Sequence, residues 1–210
     1  MHRLHGTAAA LHHRPWPTEP APAVWLLEVE RPALVVGSTQ PEPSPSRPVA
    51  FDVVHRHSGG GAVLVAPDTL VWVDVFVPAH DPLWSADVGR AFGWLGSVWV
   101  DALAAAGVAG GRAHDGPLLH TAWSGSVCFA GLGPGEVTVG GRKVVGISQR
   151  RRRDGALFQC AALLAWDAAG TAAALGLPAA AVTELAGLAA GLPLDRRSLE
   201  QAFLHAVARV

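Results

Sequence analysis

Between residues 23 and 166, glycine and proline cut the chain into apolar runs that are mostly too short for helices. Residues 24–30 and 33–36 are apolar and rich in β-branched side chains. They read as two strands around Arg31-Pro32, the second ending at Gly37. The proline-rich stretch 39–45 cannot supply ladder hydrogen bonds and reads as a loop. Residues 51–54 form a short strand, another begins near Ala62, and residues 70–77 alternate toward a third. Only one stretch breaks this rhythm. Asp81 has the chemistry of an N-cap with Pro82 at the first helical position, and Trp84, Val88, Phe92, Leu95, Trp99 and Leu103 follow at three- and four-residue spacing. This predicts a long amphipathic helix ending near Gly107. Residues 127–129, 136–139, 143–148 and 156–164 read as further strands. Gly140-Gly141 is a hairpin turn, and residues 150–155 make a charged one.

Strands, one long helix, more strands and a helical tail predict an α+β domain. Its mixed or antiparallel β-sheet would carry the long amphipathic helix packed on it. Residues 1–22, rich in His, Pro and Ala, read as a loose leader. Residues 23–166 read as the main domain, and residues 167–210 as a helical C-terminal extension packed on it. Within that extension, Asp195 caps a last helix bearing Leu199, Phe203 and Val207 on one face.

Half the residues are hydrophobic and 16% are charged, enough for a buried core and too apolar for a disordered chain. A net charge of −1 gives no basic field for nucleic acid. No apolar run approaches a membrane span, so neither nucleic acid nor membrane is an expected partner. The two cysteines, Cys128 and Cys160, make no disulfide framework, which points to a reducing cytoplasm. His2, His5, His12, His13 and His55 lack regular ligand spacing, and no metal site is expected.

Two stretches carry candidate chemistry. Ser58-Gly59-Gly60-Gly61 lies between strands, where glycines allow close approach to main-chain amides that form an anion nest. Arg56 adds a guanidinium fork suited to phosphate or carboxylate. The loop is neither a P-loop nor a dinucleotide fingerprint, because a strand follows it. A plain flexible hairpin is the alternative. The second stretch is Gly140-Gly141-Arg142-Lys143-Val144-Val145-Gly146. Lys143 is the only lysine, and arginine supplies the other 15 of the 16 basic residues. Either compositional bias left one lysine there, or the position needs a compact ammonium that a guanidinium cannot imitate. Such a group beside a phosphate cradle would offset charge developing on an acyl-phosphate. Gly146 leaves room for a ligand chain against the strand.

Together these motifs resemble the lipoate–protein ligase and octanoyltransferase superfamily, which shares its fold with biotin–protein ligases. The resemblance rests on Arg56-x-Ser58-Gly59-Gly60-Gly61-Ala62-Val63, then Gly141-Arg142-Lys143-Val144-x-Gly146-x-x-Gln149-Arg150, with Val35-Val36-Gly37-x-x-Gln40 ahead of them. It covers residues 24–165. It implies that Lys143 contacts the acid carboxyl and the α-phosphate of an adenylate. Arg56 and the backbone of Gly61, Ala62, Val63 and Leu64 would hold the nucleotide. The implied substrates are ATP, with Mg as counter-ion, and lipoate. The implied acceptor is a lysine of a lipoyl domain, in a 2-oxoacid dehydrogenase or the glycine cleavage H protein.

The chain departs from the family pattern at four places. Val65 and Cys160-Ala161 stand where members carry histidines, His55 where they carry a second arginine, and residues 132–136 where ligases carry Asn-Asp. A large C-terminal accessory domain is also missing, which implies an accessory subunit or a preformed acyl-adenylate. Cys128 resembles the nucleophile of thiol-dependent octanoyltransferases, which take octanoyl from acyl carrier protein. Lys143 would then favour the thiolate. The triple glycine favours the ligase. A non-catalytic acyl-binding homologue is the third reading. His120, Trp123 and Ser124 are candidates for an acyl tunnel. The run Arg150-Arg151-Arg152-Arg153 is either a solvated turn or a docking patch for an acidic partner.

Overall fold

The computed structural model describes residues 1–46 and 50–210. Ten strands and five helices form two sheets with helices outside them. The strands are β1 (His2–Gly6), β2 (Ala23–Val29), β3 (Ala33–Val36), β4 (Asp52–His55), β5 (Val63–Val65), β6 (Leu70–Pro78), β7 (Gly111–Ala113), β8 (Val137–Val139), β9 (Arg142–Arg152) and β10 (Gly155–Leu163). The helices are α1 (Ala8–His12), α2 (Gly93–Ala105), α3 (Ala168–Ala174), α4 (Ala179–Leu188) and α5 (Arg196–Val207).

The large sheet runs β1-β2-β6-β10-β9-β8-β7, and the small sheet runs β4-β3-β5. Each contains one parallel pair, β1 with β2 and β3 with β4, so both are mixed. The fold class read from the sequence therefore holds.

Strand periodicity sorts the core. On β6, Val71, Val73, Val75 and Val77 join one core with Leu95 and Trp99 of α2 and Leu199 and Phe203 of α5. Leu70 and Trp72 face the other way and meet Val35 and Val54 of the small sheet. The central strands are thus covered on both faces. The narrow gap between the two sheets is where a small cavity survives.

Four sequence expectations change. Residues 1–22 do not form a loose leader. His2–Gly6 pairs in parallel with β2, and Ala8 and Leu11 are buried against the second core. Arg3 of β1 is ion-paired to Glu200 of α5. Too few apolar residues lie there for the pattern to show in sequence.

The long helix begins at Gly93 and not at Pro82. Asp81 and Asp87 cap turns instead, accepting from Leu83 N at 2.9 Å and Gly89 N at 2.8 Å. Val88 is 54% exposed, so its helical spacing was accidental. Residues 127–129 are not a strand. Val127 makes one isolated bridge to Ala62, and Cys128–Ala130 is a 3-10 turn. Finally, Arg150, Arg151 and Arg152 belong to β9 rather than to the turn. The guanidiniums of Arg150 and Arg152 lie over the Trp16 ring, and that of Arg151 over Trp84 on the opposite face. No helix among the described residues is long and apolar enough to cross a membrane.

Candidate active site

The triple-glycine turn joins β4 to β5 and is held by Arg56. The Arg56 Nη2 donates to Gly59 O at 2.7 Å and Gly61 O at 2.8 Å, and Nε donates to Ser58 Oγ at 3.0 Å. Arg56 is 6% exposed, and the resemblance had it gripping a nucleotide. Here its first task is to shape the loop. Gly60 has φ +93°, which side-chain-bearing residues avoid. Gly61 is required for a different reason. A Cβ there would lie 2.5 Å from the Val127 backbone. Ala62 ties the loop to that segment, donating to Ser126 O and accepting from Cys128 N, both at 2.8 Å. Nothing lies within 4 Å of a Cβ built on Gly59.

Lys143 reaches the same place from β9 through a register shift. Val137 pairs with Val145, but Thr138 pairs with Lys143, so Val144 is an extra residue. Val144 and Val145 both enter the α2-side core. Lys143 is thereby turned to the face of Gly146. A Cβ built on Gly146 would lie 3.4 Å from Lys143 Cε. Bulges re-aim side chains in this way beside functional sites.

The ammonium of Lys143 sits in a closed cage. It donates to Cys128 O at 2.9 Å and Gly131 O at 3.0 Å, and pairs with Glu136 Oε2 at 2.6 Å. The Phe129 ring centroid is 5.0 Å from Nζ. Glu136 is itself fixed, accepting from Gly133 N at 2.6 Å and Ile147 N at 3.1 Å. Both side chains are less than a tenth exposed, so their charges are taken out of water as a hydrogen-bonded pair. Backbone bonding from Ala190 N to Lys143 O anchors the strand from behind.

Between the sheets lies a narrow, mostly apolar cavity of about 50 Å³. Val63 and Val65 of the small sheet form one wall, and Gly146 and Ala161 form part of the other. Arg56 and Cys128 also line it. Cys128 is half-buried, and Lys143 contacts its carbonyl and not its thiol. Cys160 is buried, and burial pushes its thiol well above the ordinary range.

The cavity does not gather every predicted residue. Leu64 packs on the other face of its sheet, against a cluster with Ala174 and Leu34. His120, Trp123 and Ser124 do not line the cavity. Thr121 and Ser124 build a turn, and Trp123 Nε1 donates to Glu184 at 2.7 Å.

Four residues escaped the sequence reading: Glu136, His12, Trp72 and Gln159. Glu136 was hidden because its partner lies across a hairpin whose register only the bulge sets. His12 was hidden because its helix was read as leader. Gln159 shows an available signal, a polar residue in a strand buried at every position but Ala161. No group of three His, Cys, Asp or Glu side chains among the described residues is placed to hold a metal.

Fold and site define an α+β domain that presents one caged lysine and a glycine turn near a narrow apolar cavity. The chain belongs to the lipoyl protein ligase A/B catalytic domain family, whose model matches residues 7–204. It is accordingly an enzyme of the ligase and acyltransferase kind.

Solved structures share the fold at low identity. A Thermoplasma acidophilum protein with bound lipoic acid is 16% identical, with a TM-score of 0.67 over 95% of this chain and 76% of its own. A bi-partite lipoate protein ligase from the same organism, studied with its E2 lipoyl domain, is 15% identical. Its TM-score is 0.71 over 99% of this chain and 82% of its own. A lipoate-protein ligase A bound with ATP is 16% identical, with a TM-score of 0.66 over 95% of this chain and 76% of its own. Among curated proteins, none matches the chain in sequence.

Proposed function

We propose that the protein transfers a lipoyl or octanoyl group from an acyl-adenylate to a lysine of a lipoyl domain. The observation that carries this reading is the aim of Lys143: the β9 bulge turns it to the Gly146 face, where it bonds the carbonyl of Cys128, whose N–H is bonded to Ala62 beside the glycine turn. The acceptor amine attacks the acyl carbonyl, the bond from that carbonyl to the phosphate oxygen breaks, and AMP leaves. The amine proton passes to solvent. Lys143 is not consumed. A preorganised ammonium stabilises negative charge on the departing phosphate.

All three N–H groups of Lys143 are committed in the resting site. A ligand oxygen therefore takes the place of one carbonyl, while Glu136 keeps the ammonium in position. Arg56 and the Gly61–Leu64 segment hold the nucleotide through the loop they shape. ATP with magnesium would supply the adenylate, the metal entering on the phosphates and not in a protein cage. A relative that carries lipoic acid and another that carries ATP support these ligands. The relative studied with an E2 lipoyl domain supports a lipoyl-domain acceptor; we assign it to a 2-oxoacid dehydrogenase or the glycine cleavage H protein. An accessory subunit supplying the adenylation step fits the same scheme, with the cytoplasm as its place.

Cys128 favours a second reading, because it lines the cavity. It would take octanoyl from acyl carrier protein as a thioester and pass it on. Against this, Lys143 spends its charge on Glu136 and on the Cys128 carbonyl and not on the thiol.

Intact-mass measurement of a lipoyl domain separates the two. A gain with lipoate and ATP, or with lipoyl-adenylate, is expected. That gain survives Cys128→Ser and is lost in Lys143→Arg. A gain only from octanoyl acyl carrier protein, abolished by Cys128→Ser, would establish the thiol route instead. Normal turnover by Lys143→Arg would refute the role of the lysine under either.

A further inference from the structure

One wall of the cavity is polar in a way the acyl-transfer reading does not use. Helix α1 lays His12 against the Trp72 ring, centroids 4.4 Å apart, and His12 lines the cavity with Gln159. Behind them Asp74 is fully buried. It accepts from Arg14 Nη2 at 2.6 Å, Trp72 Nε1 at 2.8 Å and Gln159 Nε2 at 3.2 Å. The arginine offsets its charge, so this wall carries no net charge.

The hydrogen-bond pattern fixes what the wall offers. Gln159 turns its amide nitrogen toward Asp74, so its Oε1 points elsewhere and has no partner among the described residues. The same nitrogen lies 3.4 Å from His12 Nδ1. That leaves Nδ1 as the acceptor and places the imidazole proton on Nε2. Burial, then the charge of Arg56, lowers the His12 pKa to about 3, so the ring is neutral at pH 7. The wall thus offers one donor, His12 Nε2–H, and one acceptor, Gln159 Oε1. An all-hydrocarbon tail would strip water from both and replace neither bond.

We propose that His12 and Gln159 are specificity-determining residues that favour acyl groups whose tail bears an uncharged hydroxyl-like substituent over plain alkanoyl groups. This rests on the acyl-transfer reading above, with the acyl tail entering the cavity between the sheets, and names its substrate class. A tail hydroxyl accepts from His12 and donates to Gln159.

Calorimetric titration of the full chain with octanoate and 8-hydroxyoctanoate tests it. The hydroxy acid should bind about tenfold more tightly than octanoate, since a site built to bond a hydroxyl penalises an analogue lacking it. Gln159→Leu should erase the preference, as should His12→Leu, and the first leaves the packing of α1 intact. Equal or tighter binding of octanoate by the native chain would overturn the proposal, as would an unchanged ranking in a folded Gln159→Leu protein. The native ranking decides the matter even if a variant fails to fold. If octanoate binds without a preference for the hydroxy acid, only this inference fails. If neither acid binds, the acyl-transfer reading fails with it.

Discussion

Lys143 and Glu136 are buried charges whose desolvation is offset only while they stay together. Removing one partner leaves the other uncompensated, at a cost of about 3 kcal/mol or more. Glu136→Met and Lys143→Met should each lower unfolding free energy by that order, and the double variant by clearly less than their sum. Urea denaturation in a double-mutant cycle measures the difference, and additive losses would contradict a coupled pair. The glycines of the turn divide equally sharply. Gly61→Ala forces a Cβ to within 2.5 Å of the Val127 backbone and should cost more than 2 kcal/mol. Gly59→Ala meets nothing within 4 Å and should leave stability within about 0.5 kcal/mol. A thermal melt showing equal losses for both would remove the packing account of this loop.

Helix α1 shows why an element can matter without announcing itself. It has five residues, capped by Thr7 Oγ1 accepting from Ala10 N at 3.1 Å. Alone it would not persist, because isolated helices this short are unstable in water. Its stability comes from Ala8 and Leu11, buried against β2, β3 and β6 residues. Leu11→Ala should therefore cost about 2–4 kcal/mol, the range for a fully buried leucine, although the position looks like leader. A loss below about 0.5 kcal/mol on chemical denaturation would show that α1 is not part of the folded unit. Strand β9 gives the complementary case. Its arginines looked like a turn because charge implied solvent. Their stems and guanidiniums lie on Trp16 and Trp84, and alternation puts Arg151 on the opposite face from its neighbours. Helix α2 was misjudged at one end for the opposite reason, since the apolar spacing of Trp84 and Val88 continued a pattern that the turns at Asp81 and Asp87 interrupt.

Across the whole molecule, the gap between the sheets couples burial to pH. The neutral His12 of the folded chain has a pKa near 3, against 6.5 for the unfolded chain. Between those values only the unfolded chain binds the proton. The His12 contribution is therefore intact at pH 7 and is lost as pH falls from about 6.5 toward 3. The native chain should lose stability on acidification more steeply than His12→Leu, by up to one proton's worth of slope. That limit is about 1.4 kcal/mol per pH unit. Parallel pH profiles for the two would show that the ring is not buried neutral.

The sequence by itself determined most strands, the hairpin at Gly140-Gly141, the Asp195 cap and the two stretches that meet at the site. These are local matters of turn chemistry and side-chain period, which act over a few residues. It also singled out Lys143, because a lone ammonium among arginines stands out by composition alone. Tertiary structure decided what surrounds it. The one-residue bulge that turns Lys143 toward Gly146, the carboxylate of Glu136 that holds it and the helix that brings in His12 all depend on contacts across the sheets. Such contacts fix register and burial, and neither leaves a periodic trace in the chain.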